Sequence, residues 1–150
     1  MKTFGSVEEV LDYAIGQERK AARFYDEMAG EVSSPAMKDA LVGFAAEERG
    51  HEAKLRLIKE GKTLVTSIAT VKTLGISEVI AEAEFSPNMS YQEVLKLAMQ
   101  KEKAAYKLYS DLAAAAPPAL RDTFLMLAAE EAKHKLRFEI EYDDSVLTEN

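Results

Sequence analysis

Four stretches of this chain set a residue at every third or fourth position along one helical face, and nearly all of those residues are apolar. The first stripe runs Val7, Leu11, Ala14, Glu18, Ala21, Tyr25, Met28, and the second Met37, Leu41, Phe44, Glu48, His51, Leu55, Ile58. The third runs Tyr91, Leu95, Ala98, Glu102, Ala105, Tyr109, Leu112, and the fourth Leu120, Phe124, Leu127, Glu131, His134, Phe138. A helix with one greasy side must bury it against another, so the chain is predicted to be all-α. Ser6 with Glu9, and Ser90 with Glu93, have the spacing of a capping box at a helix start. Ser34–Pro35 and the run Ala116-Pro117-Pro118 divide neighbouring helices, and Gly61 ends the second.

Connection lengths then fix the topology. The first and second helices are joined by a few residues, as are the third and fourth, so each pair forms an antiparallel hairpin. Roughly thirty residues separate Gly61 from Ser90, enough to run back along a helix of about 30 Å. Within them 77–85 reads as a short helix of its own. The expected architecture is a four-helix bundle of two hairpins joined by a long crossover. One domain over 1–150 suits a chain of this length, with 141–150 as a flexible acidic tail.

The two hairpins also resemble each other. "AIGQERKAARFYDEMA" at 14–29 aligns with "AMQKEKAAYKLYSDLA" at 98–113, and "FAAEERGH" with "LAAEEAKH". A duplicated hairpin, packed as a pseudo-twofold bundle, follows from that likeness.

Composition removes several classes of function. The chain has no Cys, which excludes disulfides, zinc-thiolate sites, cysteine nucleophiles and thiolate iron centres of its own. A net charge of −7 argues against nucleic acid and against anionic membrane surfaces. No segment has the length and apolarity to span a bilayer and the first residues do not resemble a signal peptide, so the cytoplasm is the expected compartment.

Each stripe is interrupted at its middle by a carboxylate: Glu18, Glu48, Glu102 and Glu131. His51 and His134 follow three residues after Glu48 and Glu131, one turn on and on the same face. In an antiparallel bundle the middles of the helices meet at one level, so four carboxylates and two imidazoles converge. Four ionised carboxylates in a dry interior each carry a desolvation cost of several kcal/mol. Two divalent cations cancel that charge while two neutral imidazoles ligate. Carboxylate-rich ligation with one nitrogen per metal suits iron or manganese better than structural zinc. Glu47 and Glu130, four residues before each His, stand beside the stripe and read as facing solvent or a second layer around the site.

"QERKAARFY", "EERGH", "KEKAAYKLY" and "EEAKH" resemble the rubrerythrin branch of the ferritin-like di-iron carboxylate superfamily over roughly residues 5–140. The resemblance implies a ferritin-like bundle in which Glu48 and Glu131 bridge two metals. Glu18 and Glu102 are then terminal ligands, and His51 and His134 bind one metal each. It implies two iron ions, with manganese or a mixed pair left open. Tyr25 and Tyr109, two turns after their glutamates, match a position where the family places a tyrosine near the site, and are the candidate catalytic residues; both also suit a plain apolar core. Ala105 stands where the family carries a further Glu, and the family's usual Cys-ligated rubredoxin domain is missing. The implied function is redox chemistry on peroxide or dioxygen in oxidative-stress defence, with electrons from a separate donor protein and the chain as a homodimer. Two other readings stand beside it: an iron-binding or storage protein, and a helical module whose metal site is vestigial.

Overall fold

A computed structural model describes residues 6–61 and 88–149. Four helices make up the fold: α1 (Val7–Glu31), α2 (Pro35–Gly61), α3 (Tyr91–Ala115) and α4 (Pro118–Glu149). Among the described residues there is no strand, and no helix is long and apolar enough to cross a membrane. The crossover and the short helix expected over 77–85 lie outside the described residues.

The helix starts follow the side-chain chemistry the sequence supplies. The Ser6 hydroxyl accepts the Glu9 N–H at 3.2 Å, and the Ser34 hydroxyl accepts the Met37 N–H at 3.2 Å. At Ser90 the box is reciprocal, since the hydroxyl accepts the Glu93 N–H at 3.1 Å while the Glu93 carboxylate accepts the Ser90 N–H. Each such contact satisfies a backbone donor that the first helical turn leaves without a partner. Pro118 opens α4, where its missing N–H costs nothing.

Every stripe position whose side chain is described is buried or half-buried. The apolar ones divide into two clusters. One joins the first half of α1 and the last turns of α2 to the second half of α3 and the first half of α4, through residues such as Leu11, Leu55, Leu112 and Phe124. The other joins the opposite ends of the same helices through Tyr25, Met28, Leu41, Leu95 and Phe138. These groupings show that α1 and α4 run in the same direction, as do α2 and α3, while α1 approaches α3 across the hairpins. Phe124 and Phe138 have no exposed surface, and emptying a site of that kind typically costs about 3–5 kcal/mol.

The acidic stretch from 141 onward continues α4 as helix through Glu149. Two contacts hold its start. Tyr91 donates to Glu141 at 2.9 Å, and Tyr142 packs against the second cluster.

Candidate metal centre

Between the two apolar clusters lies a polar layer with one or two residues from each helix. Glu18, Glu48, His51, Glu102, Glu131 and His134 are all nearly inaccessible to solvent, from 0% to 5% exposed. The sequence pattern named these six, and the structure brings all of them together. One oxygen or nitrogen from each of Glu18, Glu48, His51 and Glu131 falls within 4.8 Å of the others. The same holds for Glu48, Glu102, Glu131 and His134. Glu48 and Glu131 belong to both groups, while Glu18 with His51, and Glu102 with His134, belong to one each.

The geometry supplies its own test of whether a metal pair fits. Glu18 Oε2, Glu48 Oε1, His51 Nδ1, Glu102 Oε2, both oxygens of Glu131 and His134 Nδ1 are buried without a well-aligned hydrogen bond, although His51 Nδ1 and Glu131 Oε1 lie 2.8 Å apart as an ion pair. A buried polar atom without a hydrogen bond is costly, and seven in one layer are not a feature that a folded protein carries without cause. Their chemistry, carboxylate oxygen with one imidazole nitrogen per group, is a donor set for two divalent ions of the iron or manganese type. The residues therefore fit the group.

The other atoms of the same side chains are held by residues from the opposite hairpin. Tyr25 on α1 donates its hydroxyl to Glu102 Oε1 on α3, and Tyr109 on α3 donates to Glu18 Oε1 on α1. His51 Nε2 meets the Glu130 carboxylate, and His134 Nε2 meets that of Glu47. Each histidine thus has Nε2 tied to a carboxylate at the rim and Nδ1 turned inward. That arrangement orients a ligating imidazole and raises its basicity. The positions of Glu47 and Glu130 beside the stripe carried this signal, but periodicity alone does not show that each reaches the histidine of the other half.

Burial and mutual repulsion set the protonation of the layer. Burial raises Glu18, Glu48 and Glu102 above the ordinary carboxylate range, with the Glu131 charge adding to each, and Glu48 and Glu102 rise furthest. Burial also opposes the charge on His51, but the neighbouring Glu131 and Glu18 outweigh it and push its pKa up to about 11. Glu131 moves the other way: burial would raise it, yet its contacts with His51, Glu102 and Glu48 bring it below the usual value. His51 Nδ1 lies 2.8 Å from Glu131 Oε1, against 3.3 Å from Glu48 and 3.4 Å from Glu18. Burial, then the charges of Glu18 and Glu131, hold the Tyr109 phenol protonated.

The two ends of the layer are clad differently. The Phe44 ring lies 4.2 Å from the His134 ring, and Tyr25, Phe44 and Phe138 pack mutually beside it. The positions that match Phe44 and Phe138 in the other half are Leu127 and Leu55. From the α1–α3 side a cavity of about 40 Å³ reaches the acids, lined by all four glutamates and neither histidine. Its outer wall includes Gln17, Lys20, Ala21, Lys101 and Ala105.

Comparison with known proteins agrees with this architecture. A family model described as Rubrerythrin matches residues 9–142. No match is found among curated proteins. Among solved structures, one from Thermotoga maritima described as a ferritin-like diiron-carboxylate protein superposes with a TM-score of 0.79 at 21% identity. The match covers 97% of this chain and 99% of that one. At that identity the likeness establishes the fold, which is ferritin-like.

Proposed function

This chain belongs to the rubrerythrin family, and from that premise we propose that it is a dinuclear iron protein acting on peroxide or dioxygen. The observation that carries the reading is the set of seven buried oxygen and nitrogen atoms without well-aligned hydrogen bonds, converging from all four helices on one layer. Glu48 and Glu131, common to both four-residue groups, would hold both metals. Glu18 with His51 would complete one metal's ligands, and Glu102 with His134 the other's. When bound, a ferrous pair supplies the two electrons that cleave an O–O bond, which with two protons gives two waters from hydrogen peroxide.

The protein's own part is to hold and to admit. Tyr25 and Tyr109 occupy Oε1 of the two terminal glutamates, so that Oε2 of each faces the layer. Their phenols are the chain's candidate catalytic groups. Glu47 and Glu130 keep both imidazoles turned with Nδ1 inward. The cavity of about 40 Å³ on the α1–α3 side gives small molecules such as peroxide or dioxygen a way to the acids. Ala105 on its wall leaves that space open where the family resemblance expects a Glu. These 150 residues hold no cysteine for an iron–thiolate relay, so the returning electrons come from a donor outside this helical bundle.

Metal analysis should give two ions per chain. Anaerobic stopped-flow mixing of the ferrous protein with hydrogen peroxide, and separately with dioxygen, should show oxidation of the metal within the mixing experiment. Absence of reaction with both oxidants, at full metal occupancy, removes the proposal.

A further inference from the structure

The outer faces of the two hairpins differ more than their interiors. On α4, Leu125, Ala129, Ala132, Leu136, Ile140, Asp143 and Leu147 follow one another at three- and four-residue steps and so share a face. That face is turned to solvent: Leu125 is 48%, Leu136 56%, Ile140 49% and Leu147 75% exposed. Beside it a groove between α3 and α4 is lined by Lys103, Tyr106, Ala132, Lys135, Leu136 and Glu139. The matching groove between α1 and α2 is spanned by ions, since Arg19 and Arg56 both bind Glu52, at 3.0 and 2.9 Å. At the positions on α2 that match Ala132 and Leu136 stand Arg49, paired with Asp26, and Ala53. On α2 the matching row keeps Val42 and Leu57 exposed at 52% and 69%, but Arg49 and Ala53 interrupt it at the middle, whereas on α4 Ala132 and Leu136 make the apolar row a continuous seam.

Charge along α4 selects what fits that seam. Lys133, Lys135 and Arg137 are followed by Glu139, Glu141, Asp143 and Asp144, a basic block and then an acidic one. Arg137 turns inward to Met37, which leaves Lys133 and Lys135 to set the sign at the middle of the exposed face. Two such helices side by side and parallel would set like blocks together. Antiparallel, about a twofold axis at the level of residue 138, each block meets its opposite.

We propose that the partner is a second copy of this chain, its α4 seated antiparallel on the α4 seam about that axis. The register is self-complementary, as a twofold contact requires. Leu136 of one copy meets Ile140 of the other, and Ala129 meets Leu147, small against large. Lys133 falls opposite Asp143 and Asp144. Lys135 falls opposite Glu141. This assignment is independent of the metal chemistry.

Light scattering coupled to size-exclusion chromatography of the full chain should give a dimer. Leu136→Glu/Ile140→Glu should give a monomer with unchanged helix content and metal content, since both side chains are exposed. Lys133→Glu should weaken association by about tenfold, and Lys133→Glu/Asp143→Lys should restore it, because each copy then carries both reversed charges. The chain lacks cysteine, so register is read directly: Leu136→Cys/Ile140→Cys should form an interchain disulfide on mild oxidation, while Leu136→Cys alone should not. A monomeric parent chain, a dimer that survives Leu136→Glu/Ile140→Glu, or efficient cross-linking through Leu136→Cys alone each overturns the proposal. So does a monomer that loses thermal stability on Leu136→Glu, for then a segment of the same chain covers the seam.

Discussion

Two hairpins of nearly the same sequence pattern share the polar layer, and they use it by exchange. The α1 tyrosine holds the α3 glutamate and the α3 tyrosine holds the α1 glutamate; each histidine is held by a rim carboxylate of the other half. Neither hairpin completes its own half of the site. What the halves share is therefore the part that needs both of them. Phe44 and Phe138 also meet across the hairpins, yet the matching positions hold Leu127 and Leu55, so this exchange is one-sided; only at the outer faces, where Arg19 pairs with Glu52 in one half and Leu136 is exposed in the other, does a single hairpin act alone. A residue whose partner lies across the pseudo-twofold is constrained twice, as donor in one half and as acceptor in the other.

The strongest way to break this equivalence is to read, without metal, the two glutamates that both four-residue groups share. Glu48 and Glu131 occupy matching positions, but protons divide them. Burial and the neighbouring Glu131 charge push Glu48 towards its protonated form, while Glu131, against the pull of burial, is drawn towards its charged form by His51, Glu102 and Glu48. Glutamine imitates a protonated carboxyl, so Glu48→Gln should change metal-free stability by less than about 1 kcal/mol. Glu131→Gln removes one partner of a buried ion pair and should cost about 3–5 kcal/mol in the same urea titration. Bound metal should fall well below two ions per chain in both variants, since each glutamate belongs to both groups. Equal metal-free costs would mean that the proton is shared evenly and that the symmetry is complete.

The same distinction, inside one hairpin or across two, decides what the sequence made legible. A stripe reports which face of a helix is buried, so the four helices and the six polar residues of the layer followed from spacing. The converging charge followed from chemistry, because four carboxylates at one level demand cations. Periodicity does not report which neighbour a flank residue meets, and so left Glu47 and Glu130 between solvent and the site's outer layer. The same gap hid the stacking of Phe44 on His134, since Phe44 reads only as one more core aromatic. Beyond 140 the acidic composition shows no partner, whereas Tyr91 donates to Glu141 and Tyr142 packs on the second cluster. Those contacts come from the start of α3 and from the cluster at that end of the bundle, and no local pattern announces them.

The tyrosines sharpen the exchange with a smaller effect. Removing either hydroxyl leaves a buried carboxylate oxygen without its donor, so Tyr25→Phe and Tyr109→Phe should each cost about 1–3 kcal/mol. Double-mutant cycles then locate the partner. Tyr25→Phe should couple to Glu102→Gln and be additive with Glu18→Gln, and Tyr109→Phe should show the reverse. Coupling within a hairpin, Tyr25 with Glu18, would overturn the exchange.

The smallest test lies at the helix starts, where the halves should behave as independent units. Ser6 and Ser90 begin the duplicated helices α1 and α3 with the same hydroxyl contact, to the N–H three residues on. Replacing either by Ala exposes that donor without a partner and should cost about 1 kcal/mol. At Ser90 the Glu93 carboxylate also reaches back to the cap N–H, and that contact survives the substitution because it uses the backbone of residue 90. Ser90→Ala should therefore be no more costly than Ser6→Ala, and Ser90→Ala/Glu93→Ala should exceed Ser90→Ala by a few tenths of a kcal/mol. Each cap lies far from its counterpart and shares no partner with it, so the two Ser→Ala costs should add in the combined variant. Non-additivity in that variant would show that the hairpins fold as one unit from their first turns, with the exchange at the centre reaching out to the ends.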